Sequence, residues 1–293
     1  MKKFWVNVGK AAAYFGAYLG AQVVVSVAVS FVISFIISFN MAMENPNVDM
    51  DAYMEKANAA FGEAMPYVLV VSALLSVLVF FIVAKIRKKK FTQSAELKKF
   101  KPVTVVPIVI GGIAFNFAIS FLMGLIPFPE KLVESYENSI NQVLGGVGII
   151  TWIAAVIMAP IVEELTFRGF MYTRLKQGMP KWIAIIVSSL AFGIVHGNVI
   201  QGIYTFVFGL SLVWIYERAK SIWPCILFHM SFNLVGAVMS TWPVVGEKLD
   251  NLWIYIGFSV LTVGMAVWFA LATKGVKEEV EVKEEVKTIA EAE

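Results

Sequence analysis

Only a few side chains in this sequence can do chemistry away from water, and their spacing is informative. Glu163 and Glu164 are adjacent, and Arg168 follows four residues after the second. His196 closes the pentapeptide Phe192-Gly193-Ile194-Val195-His196, and His229 and Asn233 stand four apart in Phe228-His229-Met230-Ser231-Phe232-Asn233. The chain has two histidines and one cysteine, Cys225, so any imidazole or metal chemistry must use one or both histidines. The lone cysteine also excludes an internal disulfide framework.

On a helix, neighbours point about 100° apart, whereas residues i and i+4 share a face. Glu164 and Arg168 can therefore pair, leaving Glu163 free to face something else, and His229 and Asn233 look the same way. The midpoint between Glu163 and His196 falls on Met179-Pro180, where Gly178 and Pro180 signal a turn. In an antiparallel hairpin folded there, both lie roughly 20–25 Å from the turn and meet at one height. A carboxylate and an imidazole in one buried site can hold a water and take its proton. A second histidine and an asparagine can stabilise the oxyanion. Glu163, His196 and His229 can equally hold a zinc ion with water in its open position. A metal-independent glutamate mechanism and a zinc mechanism both stay open at this point, and both hydrolyse an amide or ester. Plain alternatives exist for each group: a helix-end carboxylate pair, a histidine bonded to a carbonyl, polar glue between helices.

Other hydrolytic machinery fits poorly. The aspartates Asp49, Asp51 and Asp250 all fall in outer loops, which excludes an aspartyl pair, and the zinc signature His-Glu-x-x-His is absent. Gly209-Leu210-Ser211-Leu212 comes nearest to a serine-type nucleophile motif but lacks its second glycine.

The elements that must position these groups are membrane helices. Apolar residues make up 59% of the 293 residues and charged residues 15%, against about 45–50% and 25% in soluble domains. The surplus lies in uncharged runs: Ala11 to Phe39, Met65 to Ala84, Val103 to Ile126, Val147 to Val162, Trp182 to Tyr216, Ile222 to Pro243 and Leu252 to Thr273. A bilayer core takes about 20 residues per helical crossing. The run of 35 from Trp182 is too long for one crossing and should break at His196-Gly197-Asn198. The first run, at 29 residues, exceeds a signal-peptide apolar region of about 7–15 and reads as a retained helix. The expectation is an all-α polytopic membrane protein of about eight transmembrane helices, bundled around a polar intramembrane cavity. Residues 1–273 form a single helical domain with its catalytic core at about 147–243, and 274–293 is a charged, flexible cytoplasmic tail.

Charge sets the sides. Lys2, Lys3 and Lys10, the basic loop Lys85 to Lys101, then Arg174, Lys176 and Lys181, and Arg218 with Lys220 should all be cytoplasmic. The loops Asn40 to Ala64 and Pro127 to Gly146 are acidic and should lie outside. Both termini then face the cytoplasm. A net charge of +3 gives no reason to expect a nucleic-acid partner. The partners expected are the lipid bilayer and a peptide or membrane-protein substrate.

Together, Glu163-Glu164-x-x-x-Arg168, Phe192-x-x-x-His196 and His229-x-x-x-Asn233 resemble the three motifs of the CAAX protease and bacteriocin-processing (CPBP, or Abi) family, which includes the Ras-converting CAAX prenyl endopeptidase. The resemblance spans Glu163 to Asn233. It implies an intramembrane endopeptidase of a bacterial cell membrane, with a helical core around a cavity open to the cytoplasmic side. By it, Glu163 and His196 activate the water, His229 and Asn233 stabilise the oxyanion or help hold a metal, and Glu164 and Arg168 support the site. A non-catalytic immunity or binding protein, or a transporter, is the competing reading. A cleavage product that survives Glu163→Ala or His196→Ala at wild-type level contradicts the peptidase.

Overall fold

The computed structural model describes residues 1–44, 49–144 and 148–276. Nine helices carry the architecture: α1 (Lys2–Glu44), α2 (Met50–Ile86), α3 (Val105–Gly124), α4 (Glu130–Leu144), α5 (Ile149–Gly178), α6 (Lys181–Ile194), α7 (Val199–Ala219), α8 (Trp223–Thr241) and α9 (Leu252–Ala272). Seven of them, all but α4 and α6, are long and apolar enough to cross a membrane. The chain is an integral membrane protein, and its described residues form a helical bundle.

The sequence count of eight crossings becomes seven long helices plus α6, an apolar helix of 14 residues. At 1.5 Å per residue α6 is about 21 Å long, short of a full bilayer core. The break after it falls where the glycine is. Gly197 has φ +68°, a left-handed conformation that glycine adopts without Cβ strain, and nothing crowds it. Asn198 then caps α7 by accepting from the Gln201 N–H at 3.2 Å. The turn between α5 and α6 falls on Met179 and Pro180, as the spacing required.

One stretch expected as a loop is a helix. α4 occupies Glu130–Leu144 within the acidic segment 127–146. Its apolar residues recur at helical spacing on one face while its glutamates are exposed, so a reading by uninterrupted apolar runs passes over it. The charged tail beyond residue 276 lies outside the described residues.

The helices approach through small residues, as lipid-embedded helices do without a hydrophobic drive of their own. α3 meets α8 at Gly112, where a Cβ would sit 2.5 Å from the Phe228 carbonyl oxygen and 2.8 Å from the Ser231 Cβ. α6 meets α7 at Gly193, where a Cβ would sit 2.6 Å from the Gly202 oxygen. Large apolar side chains on the outer faces of α1 and α9, such as Phe31 and Val260, are exposed to what would be lipid. At the basic end of the bundle, Glu217 gathers Lys176 at 3.0 Å, Lys181 at 2.6 Å and Lys220 at 2.9 Å, and accepts the Tyr172 hydroxyl at 2.9 Å. That cluster ties the end of α5, the start of α6 and the end of α7 together.

The close approach at Gly112 is testable on one helix. Gly112→Val should lower stability in detergent by roughly 1–3 kcal/mol, the usual cost of overpacking. Gly124→Val, where nothing lies within 4 Å, should be near neutral. Thermal unfolding of the two variants beside the wild type checks this.

Candidate active site

α5 carries the two glutamates on an ordinary α-helical turn, Ala159–Glu164, between two π-helical stretches, Ile153–Met158 and Leu165–Tyr172. Wide turns of this kind are uncommon and concentrate at functional sites. Here they set where the two carboxylates point.

Glu164 turns inward. It is 0% exposed, and its Oε1 accepts from Arg168 Nη1 at 2.9 Å and from His229 Nδ1 at 2.9 Å. Arg168 is 1% exposed. Its Nη2 donates to the Gly209 carbonyl at 3.1 Å, and its guanidinium carbon lies 4.4 Å from the centre of the Phe192 ring. A buried charge pair is tolerated when its remaining polar atoms are bonded. This one is nearly so, with Glu164 Oε2 and Arg168 Nε unpartnered.

Glu163 turns the other way, into a cavity of about 650 Å³. His196, His229 and Asn233 line the same cavity, so the four residues assigned to chemistry share one space. His229 Nε2 stands 3.8 Å from Glu163 Oε2. His196 Nδ1 donates to the Phe192 carbonyl at 2.7 Å. A carbonyl only accepts, so Nδ1 bears the proton and the Nε2 lone pair is left unengaged by this bond. Asn233 donates from Nδ2 to the Ala155 carbonyl at 2.8 Å, which fixes α8 against the first π-helical stretch of α5.

Five contributions were not assigned from sequence. Phe192 stood in its motif without a role. It lies under the Arg168 guanidinium and packs edge-on against both histidines, with centroid separations of 5.1 Å to His196 and 5.9 Å to His229. Phe208 flanks His229 from α7 at 5.0 Å. Gly209 makes room for Arg168, since a Cβ there would come within 3.3 Å of Nη2. The Gly209-x-Ser211 triplet thus serves packing. Ser211 Oγ donates to the Val207 carbonyl at 3.3 Å and lines a separate apolar cleft. Tyr18 of α1 and Tyr136 of α4 complete the cavity wall. Tyr136 had a signal in the amphipathic spacing of α4, and Tyr18 had none.

The donor chemistry for zinc is partly present, because each imidazole is held through Nδ1 and keeps Nε2 for another partner. Among the described residues, however, no group of three or more His, Cys, Asp or Glu is placed to hold a metal ion. The arrangement as it stands does not bring three such donors together.

Comparison with known proteins agrees with the motifs. Residues 145–235 match the family model of the Type II CAAX prenyl endopeptidase Rce1-like proteins. The "Putative membrane peptidase YdiL" of Bacillus subtilis (strain 168) is 32% identical over 92 residues, covering 31% of this chain and 38% of that protein. The UPF0177 protein YbdI of Lactococcus lactis subsp. lactis (strain IL1403) is 27% identical over 134 residues, covering 44% of this chain and 70% of that one. No solved structure matches.

If the Glu164–Arg168 pair holds the site together, removing one partner leaves a buried charge alone. Glu164→Gln should destabilise by about 3–5 kcal/mol, and the double variant Glu164→Gln/Arg168→Met by less than the two single changes combined. A double-mutant cycle by unfolding in detergent reads this coupling. Residues 145–235, the segment similar to the Type II CAAX prenyl endopeptidase Rce1-like family, enclose all three motifs.

Proposed function

We propose that the protein is an intramembrane endopeptidase of CAAX-protease-like type that hydrolyses a peptide bond with a water activated at Glu163. One observation carries the reading. Glu163, His196, His229 and Asn233, from three motifs on different parts of the chain, line one cavity, while Glu164 and Arg168 stay behind it in the core. A transporter or a plain binding protein gives no reason for one of two adjacent carboxylates to be tied and the other left free.

In this mechanism Glu163 takes a proton from water as the water oxygen attacks the substrate carbonyl carbon. His196, its Nδ1 engaged with the Phe192 carbonyl, accepts a hydrogen bond at Nε2 and orients the water. The oxyanion is met by the second amide hydrogen of Asn233 and by His229 once Nε2 is protonated. Glu164 behind Nδ1 orients that ring so that Nε2 faces the cavity, as a carboxylate orients the imidazole of a catalytic triad. When the tetrahedral intermediate collapses, the C–N bond breaks and the proton on Glu163 passes to the leaving amine. Zinc held by Glu163, His196 and His229 is the competing proposal, and it needs those side chains to move together first. Metal analysis of purified protein, with chelation and re-addition, separates the two.

The substrate is a peptide or membrane protein reached within the lipid bilayer. The basic loops and the two bacterial relatives support a bacterial cell membrane with both termini in the cytoplasm. Replacing a positioned general base typically costs 10²–10⁴-fold in rate. Glu163→Gln should therefore lose at least about 10²-fold in cleavage while inserting and folding normally. N-terminal proteomics of membranes carrying wild-type or Glu163→Gln protein should show new termini with the wild type alone. The same termini at equal abundance in both would sink the peptidase reading and favour action by binding.

A further inference from the structure

A second cleft lies apart from Glu163, between α3, α7 and α9. It holds about 360 Å³ and is lined by α3 between Pro107 and Phe115, by α7 between Leu210 and Ile215 and by α9 between Thr262 and Phe269, with Phe228 of α8 also in its wall. Ile108, Ile215, Phe228 and Phe269 are buried, whereas Trp214 is exposed and stands at the rim. Gly111 holds the seam between α3 and α9 open. A Cβ there would already touch Met265 Cβ at 3.4 Å and the Phe228 ring at 3.5 Å, so a larger side chain would fill the space.

Both hydroxyls in this lining are spent on their own helices. Ser211 Oγ donates to the Val207 carbonyl at 3.3 Å, and Thr262 Oγ1 donates to the Phe258 carbonyl at 2.9 Å. A small polar molecule in the cleft would lose its water and gain no partner in exchange. A hydrocarbon chain has no such loss and gains close packing. At 1.5 Å per residue the lining runs about 10–12 Å along α3 and α9, against about 15 Å for the hydrocarbon of one leaflet.

Positive charge stands at one end of the cleft. Arg218 follows Trp214 by one helical turn on the same face, with its guanidinium carbon 5.3 Å from the centre of the Trp214 ring. Its Nη1 donates to the Ala270 carbonyl at 3.3 Å, just past Ala266 and Phe269 of the lining. Lys101, which leads into α3, donates from Nζ to the Lys274 carbonyl at 3.4 Å, four residues further along. Among the described residues no carboxylate lies within ion-pair distance of Arg218, Lys101 or Lys274. The neighbouring Lys176, Lys181 and Lys220, by contrast, all share Glu217.

We propose that this cleft binds one anionic phospholipid, with an acyl chain along the seam between α3 and α9 and the phosphate on Arg218 and Lys101. The cleft matches the chain in polarity and length, and the cations stand where the chain must end in a headgroup. A guanidinium presents a planar fork of donors that suits phosphate oxygens, and only Nη1 of Arg218 is engaged with Ala270. Trp214 at the rim is the residue type that favours the boundary between hydrocarbon and headgroups. α9 packs against α3, so a lipid seated here would join it to α7 as well. The inference is independent of the peptidase reading, because no residue of this cleft lines the Glu163 cavity.

Native mass spectrometry of the full-length protein released from detergent tests this by counting bound lipid at each added concentration. Dioleoyl phosphatidylglycerol should bind with a Kd several-fold below that of dioleoyl phosphatidylcholine. Arg218→Gln/Lys101→Gln should weaken the phosphatidylglycerol affinity roughly tenfold, the scale expected for two charges beside a lipid headgroup, and leave phosphatidylcholine as it was. Ala266→Phe, which fills the cleft, should weaken both lipids. Lys89→Gln/Lys90→Gln removes two exposed charges from the basic loop and should match the wild type, which separates the cleft from attraction to any basic surface. Glycerol 3-phosphate, the headgroup chemistry without a chain, should not displace the lipid. Displacement by it would make this a site for a free phosphate and overturn the proposal. Equal affinity for the two lipids, or phosphatidylglycerol affinity lost as much in Lys89→Gln/Lys90→Gln as in Arg218→Gln/Lys101→Gln, overturns it too. Thermal unfolding without lipid shows whether each variant is folded. Where the Arg218→Gln/Lys101→Gln protein is not, Ala266→Phe and Arg218→Gln alone decide, and wild-type affinity in either overturns the proposal.

Discussion

The structure depends on a carboxylate and a guanidinium that have left water together. Glu164 and Arg168 sit in the core with almost no exposure, and one oxygen, Glu164 Oε1, receives both Arg168 and His229. Such a pair contributes little net stability, because desolvation offsets most of the attraction. What it supplies is direction. With Nδ1 of His229 committed to Glu164, the ring can present only Nε2 to Glu163 across 3.8 Å. Arg168 also reaches Gly209 on α7 and lies over Phe192 on α6. One ion pair therefore registers four helices at the depth of the cavity.

That registration needs an irregular helix. Adjacent residues on an α-helix diverge by about 100°, which separates Glu163 from Glu164 but does not by itself aim either one. The π-helical stretches on both sides of Ala159–Glu164 rotate this turn relative to the rest of α5. Asn233 holds the first stretch through the Ala155 carbonyl, and Arg168 lies within the second. The two residues that brace α5 thus belong to the motifs themselves.

Much of this was legible in the sequence, for physical reasons. Apolar runs report lipid-spanning helices because backbone groups in lipid must bond internally. The hairpin turn at Met179-Pro180 and the break at Gly197 follow from residues that cannot continue a helix. The pairing of Glu164 with Arg168 follows from i,i+4 spacing. What escaped was of another kind. The π-helical turns leave no mark in the pattern of apolar residues. α4 alternates on a helical face and so interrupts no run. Phe192 and Gly209 act through size and shape, which residue type alone does not disclose.

Because the chain holds two histidines, one spectrum can read the central geometry. Protein labelled with ¹⁵N-histidine and studied by NMR in lipid gives two ring systems, and nitrogen shifts separate protonated from bare positions. The account predicts that Nδ1 carries the proton in both rings. It further predicts that Glu164→Gln, provided the protein remains folded, perturbs His229 Nδ1 and leaves His196, bonded to the Phe192 carbonyl, as it was. A bare Nδ1 on either ring of the wild-type protein would contradict the arrangement from which the rest is derived.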